Sequence, residues 1–507
     1  LILIIDCRKK ENLSNMDMHD VLRGTFGFDE FRMNQENIIK AVLDKNIYGI
    51  LAILPTGGGK SLLFQIPALM MEGLTIVISP LISLMKDQVD FLKSKNISAE
   101  FYNSSLSSAT KRDIEMKLVK KQLKILYIAP ERFNDSNFFT ALRITNKISL
   151  LAIDECHCIS TIGHDFRPSY RTLQEIINFL KPQQVIALTA TATKRVQHDI
   201  CKQLNIPNAT KFIQGFYRPD LRLLVKTCTF ATIFDKIINR LTDYINKGFK
   251  TGIIYVPTRQ KAENLVDELQ NWNIPSILYH AGLPDKVREK TQNDWFLNGG
   301  IVVATIAFGM GINKSDVRFV IHAGIPSSVE NYYQEIGRAS RDGLGAECVV
   351  YYDPFKDEDL QRFFIDMSYP SNSNIIKFWH WCCGHASDAN LIEMTQKEMG
   401  NQNHSVNSCF ISGCITKLKE NKFIETIATA KYKINTNKDI NNDFDFTSLN
   451  IRRMAKLNIL SDLIEFLKNK SECRMLNILH YFDDYSHKIP CGKCDVCRIK
   501  LLKTRPV

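Results

Sequence analysis

The chain has 507 residues, of which 45% are hydrophobic and 23% charged, the composition of a globular protein of about three domains. No apolar run approaches the ~20 residues needed to cross a bilayer, which excludes a helical membrane protein. Lys and Arg total 65 against 54 Asp and Glu, and the resulting +11 permits nucleic-acid binding without requiring it. The excess is concentrated at one end, because residues 446–507 carry 12 Lys and Arg against 6 Asp and Glu. The opening Leu1–Ile5 run is too short for a signal-peptide core, and Asp6 interrupts it. The chain does not open with Met, and Met16 is an expected start. Without a secretory signal the 14 cysteines are expected to be reduced, in a nucleus or in a cytoplasm with its nucleoid.

In chain order, apolar runs of strand length alternate with helical stretches. The first set is Gly49–Leu54, Thr75–Ser79, Ile125–Ala129, Leu150–Asp154 and Val185–Thr189. The second is Thr251–Val256, Ile277–His280, Ile301–Thr305, Arg318–His322 and Cys348–Tyr352. Near-continuous apolar strands imply sheets covered on both faces, so the pattern predicts two parallel α/β domains joined near Pro207–Pro219. After Pro354 the pattern predicts helices over Asn374–Cys383, Ser387–Gly400 and Val406–Lys422. A hairpin of Phe423–Ile427 and Lys431–Ile434 follows, which is winged-helix order. In its third helix Ile411, Ile415 and Leu418 are expected in the core and Lys417, Lys419 and Lys422 toward solvent. That helix would enter a major groove, with Lys431 and Lys433 on phosphates. A last helix, Asn450–Asn469, places Ile451, Met454, Leu457, Leu460, Ile464 and Leu467 on one face.

The first strand runs into Pro55, Thr56, Gly57, Gly58, Gly59, Lys60 and Ser61, then into a helix. Glycines let backbone N–H groups approach phosphates, and a helix N-terminus adds a favourable dipole. Lys60 would reach the β- and γ-phosphates of ATP, and the Ser61 hydroxyl would hold Mg²⁺. The general pattern expects Gly at position 54, where this chain has Leu54. About 100 residues on, a buried strand ends in Asp154, Glu155, Cys156 and His157. Asp154 would bind the Mg²⁺ through water, and Glu155 would polarise the attacking water. In Gln334–Asp342, Arg338 and Arg341 stand three apart on one predicted helix face, placed to stabilise γ-phosphate charge. Near the end, Cys473, Cys491, Cys494 and Cys497 have the spacing of a tetrahedral Cys₄ zinc site, with an iron–sulfur cluster as the rival.

With these motifs in place, the chain resembles the RecQ family of superfamily-two helicases over about Val21–Tyr352 and Cys473–Cys497. The resemblance implies that Phe31, Arg32 and Gln35 bind the adenine, with Gln35 reading it. It implies ATPase motifs at Thr56–Ser61 and Asp154–His157, and a coupling motif at Leu188–Ala192. Two further motifs lie at Ala304–Lys314 and Gln334–Gly343. Cys158–Pro168 is similar to the family's aromatic-rich loop, so Phe166 would stack on a base of single-stranded DNA and Arg167 would pair with phosphate. Ile162 stands where the family usually has Trp, Cys156 for the usual Ala, and Ser340 for a Gly. The implied protein is an ATP-dependent DNA helicase moving 3′ to 5′, acting in repair or recombination. Its ligands would be ATP, Mg²⁺ and Zn²⁺, and its partners single-stranded and duplex DNA, with no membrane. The wider superfamily offers an RNA helicase or translocase as the alternative, and a catalytically dead DNA-binding scaffold is a third reading.

The expected architecture is an extension over 1–20, RecA-like domains over 21–214 and 215–354, a helical insert over 355–445 and a zinc module over 446–507. The family's terminal winged helix and helical domain would be missing or lie in an absent part of the chain.

Overall fold

A computed structural model describes residues 17–503, apart from 33, 56, 81, 135–137, 139–141, 143–146, 161–162, 164–166, 214 and 310–313. The first domain holds β1 (Ile50–Ile53), β2 (Leu74–Ile78), β3 (Ala99–Tyr102), β4 (Ile125–Ile128), β5 (Ile148–Ile153), β6 (Gln184–Thr189) and β7 (Thr210–Ile213). Their order is β3-β4-β2-β5-β6-β1-β7, with every pair parallel. The second holds β8 (Leu221–Thr227), β9 (Thr251–Tyr255), β10 (Ser276–Tyr279), β11 (Gly300–Ala304), β12 (Phe319–Ala323) and β13 (Ala346–Tyr352). Their order is β10-β11-β9-β12-β13-β8, again parallel throughout. The central strands are buried at every position because helices cover both faces.

Three strands carry no clear apolar run in the sequence: β3, β7 and β8. All three are edge strands. An edge strand has one neighbour and a partly wet surface, so it tolerates Glu100, Lys211, Arg222 and Lys226 among its apolar residues.

The insert begins with a helix that the sequence pattern does not announce, Lys356–Ser368, followed by Asn372–His385. The predicted helix Ser387–Gly400 is instead a strand, β14 (Leu391–Glu393), and a short helix, Gln396–Gln402. The break has a local cause. Thr395 and Glu398 form a capping box, with Glu398 N donating to Thr395 Oγ1 at 3.2 Å and Thr395 N donating to Glu398 Oε2 at 2.7 Å. That motif starts a helix at Gln396 and no earlier. Helix Ser408–Glu420 and strands β15 (Ile424–Ala428) and β16 (Lys431–Ile434) complete the unit. The antiparallel order β14-β16-β15, with helices before and after β14, is the element order of a winged helix.

The third helix does not turn its basic residues outward as a group. Lys417 is 7% exposed, ion-paired with Glu420 at 2.8 Å and lying over the Tyr369 ring. A methyl group on Gly413 would lie 1.9 Å from Met367 O, so this helix is pressed against Lys356–Ser368 and the segment after it. Lys431 is also engaged, with Glu393 across the sheet. Lys419, Lys422 and Lys433 remain exposed.

Helix Phe446–Lys468 leads out of the insert; at ~1.5 Å per residue its 23 residues span about 35 Å. Its second half buries Leu460, Leu463, Phe466 and Leu467. Its first half does not follow the predicted apolar face, because Ile451 and Met454 are 59% and 53% exposed. One apolar core continues from the first domain through Phe216, Tyr332 and Tyr333 to Phe466 and Phe482 of the C-terminal module. Phe216 and Phe482 stack at 4.3 Å. Among the described residues no helix is long and apolar enough to cross a membrane.

Candidate nucleotide cleft and zinc site

Strand β1 lies between β6 and β7, and β6 lies between β1 and β5. The C-terminal ends of β1, β6 and β5 therefore bring the glycine-rich loop, Thr189 and Asp154 side by side. After β1, Leu54 donates its N–H to Thr189 O at 3.1 Å and buries its side chain in the core. A leucine is accommodated there because the tight backbone is made later, by Gly57 and Gly59 at φ +83° and +70°. Lys60 Nζ lies 3.5 Å from Leu54 O. Ser61 caps helix Leu62–Met70 without a side-chain capping bond, which leaves its hydroxyl for a ligand. Thr56 lies outside the described residues.

Gln35 is buried against this loop. Its Nε2 donates to Gly58 O and Gly59 O, each at 3.1 Å, and its Oε1 accepts from Arg32 N at 2.9 Å. A methyl group on Gly59 would lie 2.4 Å from Gln35 Nε2. Phe31 is half-buried, edge-on to His19 at 5.0 Å. Phe31, Arg32 and Gln35 thus form one wall beside the loop.

Asp154 and Glu155 sit half-buried at the end of β5. Burial, and then the like charge of Glu155, push the Asp154 carboxyl up to about 7 against the opposing pull of Lys60. Burial also opposes charge on Glu155, but the hydrogen bond and charge of His157 win, helped by Lys60 and Arg338, and hold it down at about 2. Glu155 adopts a left-handed backbone at φ +47°, which aims it away from the strand direction. His157 Nδ1 lies 3.3 Å from Glu155 Oε2 and 2.8 Å from Thr189 Oγ1. Thr189 Oγ1 accepts from Thr191 N at 3.3 Å, and Thr191 Oγ1 accepts from Gln334 Nε2 of the second domain at 3.1 Å. A polar chain therefore runs from Glu155 across the cleft. The resemblance places a coupling motif at Leu188–Ala192 and another motif from Gln334, but not the bonds that join Thr189, Thr191 and Gln334 across the cleft.

Arg338 and Arg341 do not share a helix face. Helix Val329–Ile336 ends before them, and Ser340 takes a left-handed conformation at φ +53°. The chain therefore turns between the two arginines and sends them to different places. Arg338 is buried and donates to Gly309 O. Arg341 crosses to the first domain, where a methyl group on Gly57 would lie 3.4 Å from its Nε. Burial, then the like charges of Arg338 and Arg218, lower the Arg341 pKa to about 10, which still leaves it charged near neutrality. Cations concentrated at a glycine-rich loop match a polyphosphate.

Phe166 and Ile162 of the aromatic-rich loop lie outside the described residues. Arg167 is half-buried and donates to Pro80 O at 3.2 Å. Lys456 of the long helix donates to Gly163 O at 3.2 Å, tying the C-terminal part of the chain to this loop.

Cys473, Cys491, Cys494 and Cys497 place their sulfurs within 4.8 Å of one another. A tetrahedron of ~2.3 Å zinc–sulfur bonds has edges of about 3.8 Å, so the cluster fits zinc with small adjustments. Three backbone N–H groups already donate to sulfur: Cys491 to Cys473 at 3.2 Å, Arg474 to Cys494 at 3.5 Å and Cys497 to Cys494 at 3.4 Å. Hydrogen bonds from Cys491 and Cys494 hold the Cys473 thiol far below the ordinary thiol range, which favours a metal-ligating thiolate. Arg474 is 2% exposed, pairs with Asp495 at 3.0 Å and donates to Phe466 O and Leu467 O. It fastens the knuckle to the end of the long helix.

The chain is similar to known proteins in sequence and in fold. Residues 32–200 match the DEAD/DEAH box helicase family, 235–343 the helicase conserved C-terminal domain, and 428–498 the RecQ zinc-binding family. An ATP-dependent DNA helicase RecQ from Haemophilus influenzae is 45% identical over 349 residues, covering 68% of this chain and 55% of that protein. One from Bacillus subtilis is 38% identical over 487 residues, covering 89% of this chain and 79% of that protein. This chain thus spans about half of the first relative and about four fifths of the second. A crystal structure of the helicase MrfA bound to DNA and AMPPNP has a TM-score of 0.56 at 16% identity, covering 85% of this chain and 63% of that one, a likeness of fold alone. The two parallel-sheet domains and the four-cysteine knuckle agree with these matches, and the chain belongs to the RecQ family of helicases.

Proposed function

We propose that the chain is the motor of an ATP-dependent DNA helicase that moves 3′ to 5′ on single-stranded DNA and unwinds duplexes in repair or recombination. The observation that carries this reading is Arg341 of the second domain resting on Gly57 of the phosphate loop of the first. A cleft whose two walls both face one polyphosphate can close on ATP and open after hydrolysis. Lys60 would hold the β- and γ-phosphates and Glu155 would orient the attacking water. Arg341 and Arg338 would meet charge that develops on the γ-phosphate. Ser61 and Asp154 would hold Mg²⁺, and the Asp154 carboxyl, pushed toward protonation by burial, fits a site completed by a cation. When bound, Mg²⁺ would neutralise phosphate charge. The chain from Glu155 through His157, Thr189 and Thr191 to Gln334 would report the state of the cleft to both domains. Phe166 and Arg167 would bind single-stranded DNA. The winged-helix insert would add a duplex contact through Lys419, Lys422 and Lys433 on its outer surface, with its third helix held against the insert's own first helix, Lys356–Ser368.

Strand displacement with ATP on duplexes bearing 3′ or 5′ tails of DNA or RNA tests the whole reading. The expected result is unwinding of 3′-tailed DNA. Preference for RNA tails would support the wider-superfamily alternative, and absence of phosphate release would support a scaffold.

A further inference from the structure

A cavity of about 770 Å³ lies where four parts of the chain meet. Its walls are Thr193, Arg195 and Val196 of the first motor domain, Glu330 of the second, one side of helix Phe446–Lys468, and the zinc-module helix near Asn477 and Tyr481. The volume is within the ~300–1,000 Å³ of ligand pockets.

The walls differ in chemistry. Ile451 and Met454 line it on the half of the long helix that leaves its apolar side exposed. Facing the same space are Glu330, Asp462 and Glu465. Glu330 is 3% exposed; its Oε1 accepts from Tyr481 OH at 2.7 Å, and its Oε2 is buried without a hydrogen-bond partner among the described residues. A buried carboxylate oxygen in that state is left unsolvated and unpaired, and a donor from outside would relieve it. Burial, then the charges of Glu330 and Glu465, raise the Asp462 carboxyl, so the acids feel one another. Arg195 supplies a positive charge on the wall, and His480 is already engaged with Glu472 at 2.6 Å. Three carboxylates against these groups disfavour phosphate, and so disfavour nucleic acid.

We propose that this cavity docks a basic amphipathic segment of a partner protein, its apolar side on Ile451 and Met454 and a lysine or arginine directed to Glu330. Such an occupant would touch both motor domains. Thr193 is two residues from Thr191, and Glu330 is one helical turn from Gln334, the pair that bonds across the cleft.

The test is fluorescence anisotropy on the full chain without nucleic acid or nucleotide, so it does not depend on helicase activity. The probe is a labelled 14-residue helical peptide of leucine and lysine with all lysines on one face, alongside the same peptide with glutamate for lysine. The expected result is saturable binding of the lysine peptide, about tenfold weaker in Glu330→Gln, as for loss of one charged partner. Met454→Ser, which removes the apolar contact at an exposed position without changing the charge, should weaken it by a similar factor, and Glu425→Gln on the distant hairpin should change nothing. Equal affinity in wild type and both cavity variants, or no preference over the glutamate peptide, would overturn the proposal. If Glu330→Gln does not fold, Met454→Ser alone decides.

Discussion

In the nucleotide cleft, Glu155, His157, Thr189, Thr191 and Gln334 are linked in series, and Arg338 and Arg341 stand on either side of a left-handed turn, Arg338 bonded to Gly309 O and Arg341 against Gly57. In the insert, the basic residues that remain exposed, Lys419, Lys422 and Lys433, stand on the surface, while Lys417 and Lys431 are neutralised by Glu420 and Glu393. The difference is one of dielectric. Charges held in a partly dry cleft act strongly and as a unit, whereas charges on a wet surface act weakly, additively and under salt screening. Single substitutions should therefore be nearly all-or-none in the cleft and graded in the insert.

The sharpest test lies in the cleft. Arg341→Ala should lower DNA-stimulated phosphate release by about 10³-fold, the scale of a lost arginine finger, with nucleotide affinity less affected. Glu155→Gln should keep ATP binding and lose at least ~100-fold in turnover. Wild-type turnover in either variant would remove the contrast between the two regions.

Next in size is the zinc knuckle, which resembles the cleft in being cooperative. Cys494→Ser removes a sulfur that accepts from both Arg474 N and Cys497 N. Zinc content, expected at one ion per chain by elemental analysis, should fall, and the C-terminal module should melt several degrees earlier because metal binding and folding are coupled. Iron with a visible absorption band would replace zinc by a cluster.

A smaller effect should appear as a pH dependence. Asp154 has its carboxyl raised from 3.8 to about 7, so the folded protein holds a proton that the unfolded chain has released. Stability from this group is present below pH ~4 and lost as pH rises through about 7. Asp154→Asn should therefore stabilise the nucleotide-free protein at pH 8, by ~1 kcal/mol given its partial exposure, while abolishing hydrolysis. Thermal melting at pH 5 and pH 8 measures it, and a variant less stable than wild type at pH 8 would contradict the assignment.

The insert should respond least. Removing Lys422 and Lys433 by alanine substitution should weaken duplex binding a few-fold and reduce the salt slope by about one unit per lysine, with single-strand-stimulated turnover retained. Unchanged duplex affinity would reduce the insert to a packing element.

Much of this molecule is legible in its sequence, for reasons that can be named. The central strands were readable because a strand buried on both faces must be apolar throughout, and the tight backbone at Gly57 and Gly59 because a glycine-rich run between strand and helix takes left-handed conformations. The four cysteines were readable from ligand spacing. The edge strands β3, β7 and β8 were not, since one wet side removes the apolar run, whereas the edge strand β10 was; nor was the break at Thr395, where a local capping box overrides a longer helical pattern. Only the tertiary structure decided where Arg338 and Arg341 point, because the turn at Ser340 depends on Ser340 N bonding to Val317 O and Ser340 Oγ accepting from Gly345 N. It alone decided that Lys417 turns inward and that Ile451 and Met454 stay exposed. Periodicity identifies which residues share a helix face, but what packs against that face is set by distant parts of the chain.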